Sequence, residues 1–253
     1  METKIQNSGK FPFPQETFWK ETLDVIGKVD NIETLTNAKL IENLLPFNSQ
    51  GSRARCSHTI VTRFKRLDPD VLHGFFEFVR IGAPPDIIEQ IWRILFCEVE
   101  AIFAQMYLDV IWPIRAGQAI SRDDLKSYMQ TTFPQQGAKL QERLIFCLRH
   151  AGYILPHGRH DLVVVGLANL EDALVIATHL LVAKGPRTIK ISEIEANPYW
   201  KFLGYKKFDH VRVAFRNAEA KGTIMRYAVV DHLEQITTRY TWPELMSKLK
   251  GRP

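Results

Sequence analysis

Residues 121–165 (SRDDLKSYMQTTFPQQGAKLQERLIFCLRHAGYILPHGRHDLVVV) constrain the fold more than any other stretch of the chain. Ser121 is a good helix N-cap, and Asp124 three positions on is the carboxylate of a capping-box variant. The first helix runs to about Thr132. Phe133-Pro134 ends it, because a residue before proline is pushed out of the α region. A second helix is expected from near Gln136. Leu140, Leu144, Cys147, Leu148 and Ala151 fall on one face of it at helical spacing, and Gly152 stands where a helix-terminating glycine belongs. Residues 153–155 then read as a strand, 156–160 as a turn and 161–165 as the returning strand.

Helix, turn, helix, hairpin is the order of a winged helix-turn-helix. In that reading the second helix is the reader. Its free face carries Lys139, Glu142, Arg143, Phe146 and Arg149, and the turn carries His157, Arg159 and His160. A packed helix pair followed by a hairpin, with ordinary solvated charges, fits the same pattern.

The charge distribution bears on the choice. The 253-residue chain has a formal net charge of +5 and an isoelectric point of about 9.1, a modest surplus that favours polyanionic partners. Residues 52–67 carry the whole of that surplus: Arg53, Arg55, Arg63, Lys65 and Arg66 with no acid. This segment reads as a helix capped by Ser52. Its buried side would be Cys56, Ile60, Val61, Phe64 and Leu67, and its open side Arg53, Arg55, Thr59, Thr62, Arg63 and Arg66. Arginines at a helix N-terminus oppose the macrodipole, and a phosphate bound there would remove the conflict. The following block, residues 68–113, is acidic. It reads as two helices, 70–81 and a long 85–110, the latter with a wide apolar stripe typical of core.

The apolar run 162–183 is interrupted by Asn169, Glu171, Asp172 and His179, unlike a membrane span, and reads as strand plus buried helix. Beyond it come short helices around Ser192 and Tyr199, a long helix at 208–221, strands at 223–230 and 235–240, and a final helix at 243–249. The segment 149–155 echoes 219–225: each is a helix end, a glycine (Gly152, Gly222) and a strand. That echo would make the C-terminal part a second winged unit, with Lys206, Lys207, Arg212 and Arg216 on or before its long helix. The expected fold is mainly α. It comprises an arm and short helix at 1–35, a helical domain with helix-turn-helix and wing at 36–160, and a second helical domain with a small hairpin at 161–253.

Enzyme chemistry has little foothold. The sequence contains no Walker A loop, GxGxxG, HExxH or GxSxG element. His157 and His160 are three apart in a turn with no Cys or carboxylate cluster nearby beyond Asp161, so no metal or other cofactor is expected. Cys56, Cys97 and Cys147 lie far apart in apolar helical patterns and read as reduced core thiols. With no signal-peptide pattern at the N-terminus, the chain reads as cytoplasmic.

The order of these features resembles the BrxA family, small proteins of bacterial BREX phage-defence systems. Residues 48–67 carry the resemblance, together with the helical block up to Phe133, the Asn197-Pro198 to Gly204 segment, Lys221-Gly222, and Tyr240-Thr241-Trp242-Pro243-Glu244-Leu245. It covers most of the chain from about Thr36, and departs from the family at the N-terminal arm and the apolar 162–183 segment. The resemblance implies a mostly helical, non-enzymatic protein that binds double-stranded DNA. It also implies work beside a methyltransferase and an ATPase in host DNA methylation and phage exclusion.

Together these readings predict a non-enzymatic duplex-DNA-binding protein. Its phosphate contacts would come from Arg53, Arg55, Thr59, Arg63 and Arg66, from Lys139, Arg143, Arg149 and Arg159, and from Lys206, Lys207, Arg212 and Arg216. Two other classes fit the same residues. One is a protein–protein adaptor in a defence complex, and the other is an RNA-binding factor of the antitermination type, separable by competition between duplex DNA and structured RNA.

Overall fold

A computed structural model describes residues 16–134, 139–158, 161–231 and 233–250. The protein is mainly helical with two three-stranded antiparallel sheets. Among the described residues the chain forms two compact units. One is built from Glu100–Leu167 with Glu16 and Thr17; the other from Phe18–Val99 and the described residues from Ala168 to Lys250. The expected division at residues 160/161 is therefore corrected. The N-terminal helices form one unit with the C-terminal part, and the 100–167 segment is a unit of its own.

The larger unit begins with α1 (Trp19–Lys28), a 3-10 turn at Ile32–Thr36, α2 (Ala38–Glu42) and α3 (Gln50–Phe64). The N-cap of α3 is Ser49, whose Oγ accepts from Ser52 N–H at 3.1 Å, so the cap lies three residues before the expected one. Asp68 caps α4 (Pro69–Arg80) by accepting from the Asp70 and Val71 amides. The expected long helix is broken. α5 (Pro85–Val99) stops at Glu100, whose φ of −118° and ψ of 73° are not helical, and α6 (Ala101–Met106) restarts beyond it. The core of this unit is an aromatic cluster. Trp92 is fully buried, with Trp19, Phe64, Phe75 and Phe96 rings all within 6.1 Å of its own. Such rings dominate core energetics, and truncating one like Trp92 costs about 3–5 kcal/mol.

The C-terminal part of the chain packs on this core. Gln90 Nε2 donates to Ala168 O at 2.9 Å, and α9 (Glu171–Ala177) lies against α5. A π-helical turn, Thr178–Ala183, extends α9. Then follow β4 (Thr188–Lys190), α10 (Ile191–Ala196), α11 (Tyr199–Phe202), α12 (Phe208–Ala220), β5 (Arg226–Val230), β6 (Leu233–Thr237) and α13 (Trp242–Lys250).

The smaller unit continues from α6 through a second π-helical turn, Tyr107–Ile111, to β1 (Ala119–Ser121), α7 (Arg122–Thr132), α8 (Lys139–His150), β2 (Ile154–His157) and β3 (Asp161–Val164). Ser121 Oγ accepts from Asp124 N–H at 3.0 Å, and α7 ends at Phe133, as the sequence pattern predicts. Leu140, Leu144, Cys147, Leu148 and Ala151 are all buried. The hairpin pairs Ile154 with Val164 and His157 with Asp161, so the strand runs two residues into the expected turn. The third strand, β1, pairs with β3 and was not expected at all.

Both units carry the same arrangement: a short strand, helices, then a hairpin, with sheet orders β1-β3-β2 and β4-β6-β5. Their long helices end alike. Gly152 (φ 75°) and Gly222 (φ 68°) are left-handed. The Gly152 and Tyr153 amides donate to Arg149 O and Leu148 O, and the Gly222 and Thr223 amides to Glu219 O and Ala218 O. This double closure satisfies carbonyls that a helix end otherwise leaves open.

Candidate nucleic-acid interface

The helix α8 is held from behind and open in front. Its apolar side packs on α6, α7 and β2, and Gln141 Nε2 donates to Arg122 O at 2.9 Å to tie it to α7. The outer side presents exposed Lys139, Glu142 and Arg149, with Arg143 half-buried. Phe146 is 41 % exposed, and its ring lies 4.0 Å from that of His150. Thr17 Oγ1 and His150 Nδ1 are 2.9 Å apart, which holds the imidazole in place. The result is a face of three cations around an exposed aromatic ring, interrupted by one carboxylate. His157 is exposed at the end of β2; Arg159 and His160, like the expected helix start near Gln136, lie outside the described residues.

The α3 cluster is different from the expected open basic face. Arg63 is 1 % exposed, with its guanidinium 4.8 Å from the Phe96 ring centroid, so it cannot contact phosphate. The reason is positional: Cys56, Ile60, Arg63 and Leu67 are spaced four, three and four, the spacing of one buried helix face. Arg53 donates to Phe47 O at 2.7 Å and to Asn48 O at 3.3 Å. These loop carbonyls resolve the dipole conflict that an anion was expected to resolve. Thr59 Oγ1 donates back to Arg55 O at 2.9 Å, and Arg66 Nη1 to Val99 O at 3.4 Å. Arg55 and Arg66 remain exposed.

Around α12 the basic residues divide. Arg212 is enclosed by acids: its Nε lies 2.7 Å from Glu234 Oε2, Nη1 2.8 Å from Asp209 Oδ1, and Nη2 3.8 Å from Glu195 Oε2. Its plane also sits 4.8 Å from the Phe208 ring centroid. The Arg212 hydrogen bond holds the Glu234 carboxyl below its ordinary range. Arg212 is thus a structural cation rather than a phosphate contact. Arg216 is exposed, with its guanidinium 5.1 Å from the Tyr227 ring centroid. Lys206 and Lys207 are exposed ahead of the helix, and partial burial lowers the Lys206 pKa.

The structure therefore keeps Lys139, Arg143 and Arg149 together on one face, and sets the α3 and α12 groups apart on different elements. Among the described residues no cluster of three or more His, Cys, Asp or Glu side chains is placed to hold a metal, and no helix is long and apolar enough to cross a membrane. All three cysteines are buried and none is in a disulfide. Comparison with known proteins finds no matching family model, no matching curated protein and no matching solved structure.

Proposed function

We propose that the protein is a non-enzymatic binder of double-stranded DNA that docks through α8 and the β2–β3 hairpin as a winged helix-turn-helix. The observation that carries this reading is the first-third-second strand order around α7 and α8, with Lys139, Arg143 and Arg149 on the side of α8 turned away from its core. Such side chains at a helix surface meet phosphates and fix the protein's register on the duplex. The repeated β4–β6 arrangement is a second unit of the same kind, in which the balanced charges around Arg212 leave Lys206, Lys207 and Arg216 to contribute. The place we assign it is a BREX-type phage-defence system, beside a methyltransferase and an ATPase in the cytoplasm of a bacterium. Fluorescence-anisotropy binding to a random-sequence duplex, repeated across a salt series, tests the reading. Binding should weaken linearly in log–log form, with a slope of roughly −0.9 per phosphate engaged. No binding at low salt would remove it.

A second reading, a protein–protein adaptor, is favoured by the β5–β6 hairpin. Val229, Val230 and Leu233 are exposed around its turn, and Val213 is exposed on α12. Clustered exposed apolar side chains mark protein contact sites. A partner retained without any DNA affinity would put this reading first.

A further inference from the structure

The outer face of α8 is not uniformly basic, and an aromatic ring holds its middle. An α-helix turns about 100° per residue. With Phe146 as the midline, Arg143 and Arg149, three residues before and after it, leave the helix about 60° to either side. Glu142, one turn earlier, lies about 40° from the midline, and Lys139, two turns earlier, about 20° from it. The ring is therefore flanked by one arginine on each side. The two arginines leave the helix about 9 Å apart along its axis and on opposite sides, a spread that spans a groove about 12 Å wide.

Phe146 is held in that exposed position. Its ring centroid lies 4.0 Å from that of His150, one turn on, with the planes at 37°. His150 Nδ1 lies in turn 2.9 Å from Thr17 Oγ1, which fixes the imidazole beside the ring. The other side of α8 is closed by Leu140, Leu144, Cys147 and Leu148, all buried, so the core does not need this ring. Full burial of a phenylalanine contributes about 1.5–3 kcal/mol, and a large part of that is forgone here. Phosphates are held by cations, hydroxyls, amides and N–H groups, so neither Phe146 nor Glu142 can hold one. A carboxylate can accept from the amino group of cytosine at a base edge. The middle of the face thus suits base edges, and its two sides suit phosphates.

In the major groove the apolar group that a base pair presents is the C5 methyl of thymine, and phenylalanine is among the side chains that contact it. We propose that Phe146 is a base-reading residue: with Arg143 and Arg149 on the phosphates to either side, its ring packs on a thymine methyl in the major groove. The inference rests on the duplex-DNA reading of α8 and adds a base preference to it. RNA fails on two counts. An A-form helix hides its major groove from side chains, and uracil carries no C5 methyl.

Two duplexes test this by fluorescence anisotropy on the full chain. One is rich in adenine–thymine pairs; the other has the same sequence with deoxyuridine in place of every thymine, so the two differ only in the methyl groups. The wild type should bind the deoxyuridine duplex roughly three- to fourfold more weakly, the factor for one buried methyl group. Phe146→Ala, a change at an exposed position, should bind both duplexes equally and keep the wild-type salt slope, because no phosphate contact is lost. Equal wild-type affinity for the two duplexes, with a steep salt slope, would overturn the inference and leave the DNA reading standing. A thymine preference that survives in Phe146→Ala would overturn it by placing the methyl contact elsewhere. Tighter binding to the single strand than to the duplex would make Phe146 a stacking platform instead. No binding to either duplex at low salt would remove the inference and the DNA reading together.

Discussion

The Arg63 guanidinium stands 4.8 Å from the centroid of the Phe96 ring inside the larger unit, with the side chain almost completely removed from water. A desolvated cation over an aromatic face contributes about 2 kcal/mol or more. Arg63→Ala should therefore lower the urea-unfolding free energy by at least about that amount. The salt slope of DNA binding, measured on the folded variant, should be unchanged. A stable variant with a shallower slope would return Arg63 to the interface.

Gly152 and Gly222 close α8 and α12 with the same pair of backbone hydrogen bonds and nearly the same φ. A side chain in the left-handed region costs about 1–2 kcal/mol. Gly152→Ala and Gly222→Ala should each lose stability in that range, by similar amounts, in chemical denaturation. A large loss at one glycine and none at the other would show that the two helix ends are not built alike.

Gly74→Ala sets two effects against each other. Alanine in a helix interior gains about 1 kcal/mol over glycine. The new methyl would overlap Leu180 Cδ1 at 2.6 Å and crowd Trp242, and overpacking of this kind costs about 1–3 kcal/mol. The overlap should win, and with it the Trp242–Gly74 hydrogen bond should weaken. Net destabilisation with a change in tryptophan emission is the expected result; a stabilised protein with unchanged emission would contradict it.

The features legible in the sequence are those set by neighbours along the chain. Ser121 with Asp124, Phe133-Pro134 and Gly152 mark the ends of α7 and α8 because caps and breakers act within one turn. The buried set of α8 follows from helical spacing alone. What the sequence concealed depends on contacts distant along the chain. Arg63 occupies a position of the apolar face, but its residue type argues for solvent, and only the Phe96 ring reverses that. Arg212 reads as a free cation until Glu195 and Glu234 are brought to it. β1 is three residues long and exists only through its pairing with β3. No pattern marks the stop at Glu100.

His179 makes a pH prediction whose sign follows from its lowered pKa. The unfolded chain takes up a proton near the ordinary value of 6.5, whereas the folded chain resists it because the ring is buried. The stability associated with the neutral ring is therefore complete above pH 6.5 and is lost as pH falls toward the lower folded value, by at most about 1.4 kcal/mol per pH unit. The difference in unfolding free energy between the wild type and His179→Gln should fall over that window. A difference that stays constant from about pH 7.5 to about 5.5, one unit either side of the window's upper edge, would contradict the assignment.

The central claim rests on the outer face of α8, and a single comparison tests it. Lys139→Ala/Arg143→Ala/Arg149→Ala and Arg53→Ala/Arg212→Ala are measured beside the wild type for duplex-DNA affinity by fluorescence anisotropy across a salt series. The α8 variant should bind more weakly to every sequence, with a log–log slope shallower by roughly 0.9 for each phosphate no longer engaged. The Arg53/Arg212 variant should match the wild-type slope, since loop carbonyls and carboxylates already hold both groups. Unchanged affinity and slope in the α8 variant would contradict the account.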